Sequence, residues 1–159
     1  MPSSEDLRRA MAAFPTGVTI VTASGNEGSR PAGATANAVT TLSLEPPLML
    51  ACLDRGSRTL EAVREAGRFG LNGLAADQAD LAESFADPTT RESRWEGIEW
   101  YERAGAPRIT SAPLWVCCEL RDMIDGGDHL IITGSVEEVE ADRERDPLVF
   151  HLGAYRGLA

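Results

Sequence analysis

The chain has 159 residues, 43% hydrophobic and 25% charged, enough for one sizeable core and a single domain over residues 1–159. Fifteen bases against twenty-five acids give a net charge of −10, which argues against a duplex-binding protein or an anchor on an anionic membrane. All fifteen bases are arginines, so chemistry built on a lysine amine is excluded: the pyridoxal Schiff base, the P-loop lysine and the kinase lysine.

The N-terminus predicts a helix capped by Ser3 or Ser4, with Glu5 and Asp6 in its first turn, an apolar stripe of Leu7, Met11 and Phe14, and a stop at Pro15. This polar, acidic start has no signal-peptide pattern, so a cytoplasmic location is expected. Residues 18–22 are β-branched and read as a strand, followed by a turn at residues 24–28. Residues 31–38 have strand context but almost no side-chain volume. Residues 48–53 form a fully apolar strand, far short of the ~20 residues of a membrane helix. Ser57 then caps a helix that turns Leu60 and Val63 inward and ends at Gly67.

A strand at 69–74 and a helix at 77–85, with Leu81 and Phe85 on one face, come next. Residues 87–109 read as irregular and hold Trp95, Trp100 and Tyr101. Three strands close the chain, at 114–121, 129–139 and 148–155, the first two joined by the hairpin residues Asp125, Gly126, Gly127 and Asp128. Strands mostly follow strands across short turns, which favours a small antiparallel barrel with helices over a parallel βαβ sheet.

Chemistry has few places to sit. The small strand around Gly33 either receives a flat ligand against its bare backbone or lets another strand or a partner subunit pack closely. The junction from Cys52 to Thr59 suits a phosphate, through helix N–H groups, Arg55 and Arg58; equally, Ser57 only caps the helix and the arginines are solvated. His129 and His151 are the only histidines, and each has a structural reading beside a catalytic one. Cys52, Cys117 and Cys118 read as small buried residues, the adjacent pair pointing to opposite faces. No metal is expected, since CxxC and HExxH are both absent. Neither GxGxxG nor GxSxG occurs; Gly67, Gly70 and Gly73 step by three and open no helix.

Taken together, several runs resemble one family. They are Phe14-Pro-Thr-Gly-Val-Thr-Ile-Val-Thr22, Gly33-Ala-Thr-Ala-Asn-Ala38 with its continuation to Leu48, Cys52 with Ser57 and Thr59, and Phe69-Gly-Leu-Asn72. Phe85-Ala86, Trp95-Glu-Gly-Ile-Glu-Trp100, Gly127-Asp-His129 and Gly153-Ala-Tyr155 follow in order. The chain resembles the short flavin reductases, the NAD(P)H-dependent reductase components of two-component flavin monooxygenases. The resemblance implies a mainly β, antiparallel Greek-key split β-barrel (the FMN-binding split barrel) and a homodimer. It implies NADH-dependent reduction of diffusible FAD or FMN, delivered to a partner monooxygenase.

By the same resemblance, Gly33, Ala34, Thr35, Ala36, Asn37 and Ala38 would lie along the flavin ring. Cys52, Leu53, Asp54, Arg55, Ser57, Arg58 and Thr59 would hold its phosphate end, with Phe85 and Ala86 also at the flavin. Asp128, His129 and Tyr155 would receive the nicotinamide, His129 being the catalytic candidate. A flavin or haem carrier, or an oxidase with tightly bound FMN, are the rival activities of such a barrel. Asp128-His129 speaks against a mere carrier, which needs no nicotinamide-facing residue.

Overall fold

The computed structural model describes residues 1–26 and 29–158, so the predicted turn at 24–28 lies partly outside the described residues. Among the described residues three α-helices, α1 (Ser4–Met11), α2 (Arg58–Ala66) and α3 (Ala79–Ala86), accompany twelve strands. In chain order the strands are β1 (Thr16–Gly17), β2 (Thr19–Ala23), β3 (Ala32–Ala36), β4 (Val39–Leu44), β5 (Pro47–Asp54) and β6 (Arg68–Gly73). Then follow β7 (Trp100–Arg103), β8 (Ala106–Ile109), β9 (Leu114–Gly126), β10 (His129–Ala141), β11 (Val149–His151) and β12 (Ala154–Arg156).

Local signals account for the helix ends. Ser3 and Asp6 form a reciprocal capping box, the Asp6 N–H donating to Ser3 Oγ at 3.1 Å and the Ser3 N–H to Asp6 Oδ2 at 3.2 Å. Ser57 Oγ accepts the Thr59 and Leu60 N–H groups, and Gly67 closes α2 in the left-handed region at φ 66°. Helix α1 stops at Met11, one turn before Pro15, and buries none of its residues.

Seven strands form one antiparallel sheet in the order β3-β2-β6-β9-β10-β5-β4. It curls around an apolar core that draws on six of its strands, among them Val21, Ala36, Ala51, Phe69, Cys118 and Ile132, and that Leu60 and Val63 of α2 plug. A second core on the outer face joins Ile20, Leu74, Phe85, Trp95, Ile109 and Leu148 beneath α3. The architecture is thus mainly β and antiparallel, as the sequence predicts. Among the described residues, no helix is long and apolar enough to cross a membrane.

Three elements differ from the expectation. Residues 87–109 are not merely irregular: β7 and β8 form a hairpin across Ala104 (φ 52°) and Gly105 (φ 82°). Its two-residue turn takes positive φ at both positions but lacks the Asn-Gly or Asp-Gly pair that signals such turns. The strand expected at 148–155 is broken into β11 and β12 by Leu152 (φ 52°) and Gly153 (φ 73°), for the same reason. The small strand ends at Ala36, and Asn37 and Ala38 form a bend into β4.

Two groups of contacts dominate among those that anchor the hairpin of β7 and β8. Arg108 and Arg103 donate to Glu140, whose carboxyl they hold down to about 2. That contribution to stability is complete above the ordinary glutamate range of ~4.3 and fades as pH falls towards 2. The other anchor is a buried polar cluster: Asn72 Nδ2 donates to Ile20 O and Thr22 Oγ1, both at 3.2 Å, and Asn72 Oδ1 accepts the Ile109 N–H at 2.8 Å.

The cysteine pair divides as its alternation predicts. Cys118 faces the barrel core and Cys117 packs outside with Ala106 and Trp115. Burial pushes their thiols up to about 12 and about 11, far from a reactive thiolate. Cys52, expected to be buried like them, is only half-buried, because its strand β5 lies next to the open edge strand β4.

Candidate functional site

A cleft of about 700 Å³ opens where the edge strand β3, the β5–α2 junction, the end of α3 and residues 88–95 meet. Its floor is Ala32, Gly33, Ala34 and Thr35; one wall is Asp54, Gly56, Ser57, Arg58 and Thr59; the other carries Phe85 and Ala86. Segments distant in sequence thus meet around the small strand. The lack of side-chain volume has two causes. A Cβ on Gly33 would stand 2.7 Å from Phe85 Cε1 and 3.0 Å from Trp95 Cζ2, so close packing requires glycine there. Ala32 and Ala34 are only half-buried and line the cleft, leaving the strand open to a ligand.

The outer edge of β3 is the main polar feature of the cleft. Among the described residues β3 pairs only with β2. The Gly33 carbonyl points away from β2, since it accepts Arg94 Nη1 at 2.8 Å. By the alternation of an antiparallel ladder, the backbone N–H and C=O of Thr35 face the same way. The Thr35 hydroxyl is occupied elsewhere, donating to Ala82 O at 2.7 Å, which fixes α3 on this strand. A flat heterocycle with donors and acceptors on its rim fits such an edge.

Four arginines surround the cleft (Arg30, Arg58, Arg91 and Arg94) against two acids, Asp54 and Glu92, in a chain whose net charge is −10. This local excess of cations favours a phosphate-bearing ligand. Arg94 is 9% exposed and is held by carbonyls, those of Gly33, Phe85 (3.0 Å) and Asp87 (2.7 Å), while its Nε has no partner. Burial, then the charge of Arg91, lowers its pKa. The sequence reading missed Arg30, Arg91 and Arg94. Their only signal was the density of arginine and tryptophan within a stretch without periodicity.

The remaining predicted residues lie at differing distances from the cleft. Ala36 and Leu53 belong to the barrel core. Asn37 sits at the bend after β3 with its Oδ1 buried and unpartnered, and the Cys52 N–H donates to Ala38 O at 2.9 Å. Ser57 acts as the α2 cap, and Arg58 pairs with Glu92 at 2.7 Å. Arg55 reaches across to Asp125 and the Gly127 carbonyl, and its N–H donates to Asp128 O at 3.1 Å. It therefore ties the β9–β10 turn to the cleft wall. His129 pairs in register with Asp54, a cleft residue, so the two side chains share one face of the sheet.

His129 Nδ1 lies 2.7 Å from Asp128 Oδ1. This bond, then the charge interaction with His129, holds the Asp128 carboxyl below the usual range. An ionised carboxylate only accepts, so Nδ1 carries the proton and Nε2 remains available. Tyr155 packs against Phe150 at 5.2 Å, in the outer core with α3. It does not line this cleft.

Residues 11–159 match the family described as flavin reductase like domain. Among curated proteins, the chain is 39% identical over 131 residues to the stachydrine N-demethylase reductase subunit Stc3 of Rhizobium meliloti, covering 82% of this chain and 56% of that one. A second Rhizobium meliloti protein is 44% identical over 135 residues, 84% of this chain and 42% of its own. The chain thus spans about half the length of these two relatives. It is 34% identical over 157 residues to the NADH-dependent FAD reductase of Streptomyces globisporus, covering 96% and 85%. The solved structure of the NADH:FAD oxidoreductase SgcE6 of Streptomyces globisporus superposes with a TM-score of 0.90, over 100% of this chain and 96% of that one. BorF, the flavin reductase component of a bacterial two-component tryptophan halogenase, gives 0.89 at 38% identity, over 98% of each.

Proposed function

The chain belongs to the flavin reductase-like family, and on that footing we propose that it uses NADH to reduce a diffusible flavin for a separate monooxygenase. The observation that carries this reading is the open edge of β3 beside a cationic cleft. When the two cofactors lie together they supply the chemistry themselves, a hydride passing from nicotinamide C4 to flavin N5. What remains for the protein is to bind, align and release.

Each part of the cleft has a task. The Gly33 and Thr35 backbone would bond the polar rim of the flavin ring, and the bare methyls of Ala32 and Ala34 would let it approach. Asn37, with its unpartnered amide oxygen, would add one more polar contact. Arg58 and the N–H of Arg58 at the start of α2 would meet the phosphate, Ser57 serving by fixing that helix end. Arg55 is a positioning residue that holds the Asp128–His129 turn against the same wall. His129, oriented by Asp128, would offer Nε2 to the nicotinamide carboxamide.

The single domain is taken to span residues 1–159 and to act in the cytoplasm, where NADH is available. A homodimer is part of the proposal. Leu7, Met11 and Phe14 project from α1 and its end into solvent, and Leu152 of the neighbouring hairpin is exposed beside them, its N–H bonded to Ala12 O. A contiguous apolar face of this kind fits a second copy of the chain. Tyr155 sits on the same hairpin as Leu152, so a partner subunit would bring its nicotinamide role within reach.

The test is NADH consumption by purified protein with no flavin, with FMN and with FAD. Turnover only on adding flavin is expected; activity independent of added flavin would point to an oxidase, and none at all to a carrier. In the same assay His129→Ala should raise the KM for NADH about tenfold, the worth of one hydrogen bond of ~1.4 kcal/mol, while the flavin KM changes by less than about twofold. Equal effects on the two would remove His129 from the nicotinamide site.

A further inference from the structure

Arg58 and Glu92 stand on different walls of the cleft, Arg58 at the start of α2 and Glu92 in the segment after α3. Across the gap Arg58 Nη1 donates to Glu92 Oε1 at 2.7 Å. The Arg58 side chain is 65% exposed and that of Glu92 87%, so the pair lies at the rim. In the empty cleft a carboxylate thus occupies the guanidinium that the flavin phosphate would need.

An ion pair this exposed adds little to stability, and neither wall depends on it. Helix α2 is seated by Leu60 and Val63 in the barrel core. The segment bearing Glu92 is held by Arg94, whose guanidinium binds the Phe85 and Asp87 carbonyls and whose N–H donates to Thr90 O at 2.7 Å. The Glu92 backbone is fixed as well, its carbonyl accepting Arg30 Nη1 at 3.0 Å. Rotation of one exposed side chain therefore frees Arg58, with no movement of either wall.

A carboxylate offers the guanidinium one negative charge on two oxygens. A phosphate monoester offers three oxygens and ~1.5–2 charges, so the two compete for the same cation and the phosphate is the stronger ligand. We propose that Glu92 is a built-in competitor of the flavin phosphate: its carboxylate holds Arg58 in the empty cleft, gives way when a phosphorylated flavin enters, and returns as the flavin leaves. Glu92 thereby lowers the affinity for phosphorylated flavins, as suits a flavin that must depart for a second protein, and leaves the open edge of β3 untouched. This inference rests on the flavin reading of the cleft and on Arg58 as its phosphate ligand.

The test compares FMN with riboflavin, which lacks the phosphate, by calorimetry on the wild type, Glu92→Gln, Arg58→Gln and the double variant. Glu92→Gln keeps the size of an exposed side chain and should fold as the wild type does. It should bind FMN about three- to fivefold more tightly, the range open to an exposed ion pair, with the riboflavin Kd within about 1.5-fold of wild type. Arg58→Gln should weaken FMN. On that background Glu92→Gln should shift the FMN Kd by less than about 1.5-fold, because competitor and ligand have lost the cation they share.

An unchanged or weaker FMN Kd in Glu92→Gln would overturn the proposal. So would an equal gain for riboflavin, which would put the effect of Glu92 on the ring, or a gain that persists without Arg58, which would make it a diffuse effect of charge. Equal wild-type affinity for FMN and riboflavin would remove the phosphate from this wall and the competitor with it, while the flavin reading stands. Failure of both flavins to bind would defeat the flavin reading itself.

Discussion

Replacing Asn72 by leucine should destabilise the protein by about 3 kcal/mol, although the residue does not line the cleft. Asn72 is 0% exposed and its amide is spent on both sides. Nδ2 serves Ile20 O and Thr22 Oγ1 of β2, and Oδ1 accepts the Ile109 N–H of β8. Leucine keeps the branching and the number of side-chain heavy atoms, its larger methyls adding some overpacking, and the Ile109 N–H is then buried without an acceptor. Stranding a buried donor costs ~1–3 kcal/mol, and the two lost Nδ2 bonds add to it. For a chain of 159 residues this corresponds to a fall of about 6–12 °C in Tm. Thermal and urea unfolding would measure it, and a loss under about 1 kcal/mol would show that the hairpin of β7 and β8 is held mainly by the Arg108–Glu140 pair.

Arg94→Met is the second large effect, and it joins stability to binding. The guanidinium of Arg94 lies under the cleft and binds three carbonyls, of Gly33 in β3 and of Phe85 and Asp87 at the end of α3. It is therefore both the cation at a helix C-terminus and the tie between that helix and the strand proposed to face the flavin. Methionine fills most of the space against Phe85 but takes the guanidinium from the Gly33 and Phe85 carbonyls, while the Asp87 carbonyl keeps the Thr90 N–H and hydroxyl. Relief of the desolvated charge offsets part of the cost, and a net loss of about 2–4 kcal/mol is expected. With the tie gone, FAD and FMN should both bind about tenfold more weakly. Arg94→Lys should recover only part of either loss, since an ammonium cannot span three acceptors as a planar fork does. Unchanged flavin affinity in a folded Arg94→Met protein would show that β3 keeps its shape without Arg94.

The role of the small strand shows how far single residues can be read. Gly33 and its neighbours raise two readings, ligand or close packing; the structure bears out close packing at Gly33 and leaves the other face of the strand open. Gly33 makes room for Phe85 and Trp95, while Ala32 and Ala34 remain open to the cleft. Nothing in the order of residues 31–38 distinguishes one face from the other until α3 is docked. The junction after β5 is similar. Ser57 does cap the helix, yet it also lines the cleft, so the structural and functional readings were never exclusive.

Local chemistry in the sequence determined the caps at Ser3, Ser57 and Gly67, the apolar strand of β5, the turn at Asp125–Asp128 and the antiparallel, mainly β character. Each of these follows from interactions within a few residues, or from an alternation that any half-buried strand must show. The hairpin turns at Ala104-Gly105 and Leu152-Gly153 escaped because tertiary packing imposes positive φ on residues that do not favour it. Only the tertiary structure decided which arginines face the cleft and that Arg55 serves the β9–β10 turn instead. It alone set Arg58 and Glu92 across the cleft from each other. The physical reason is that a binding site is a meeting of segments whose mutual distance is fixed by the core they share, and no short stretch of sequence carries that distance.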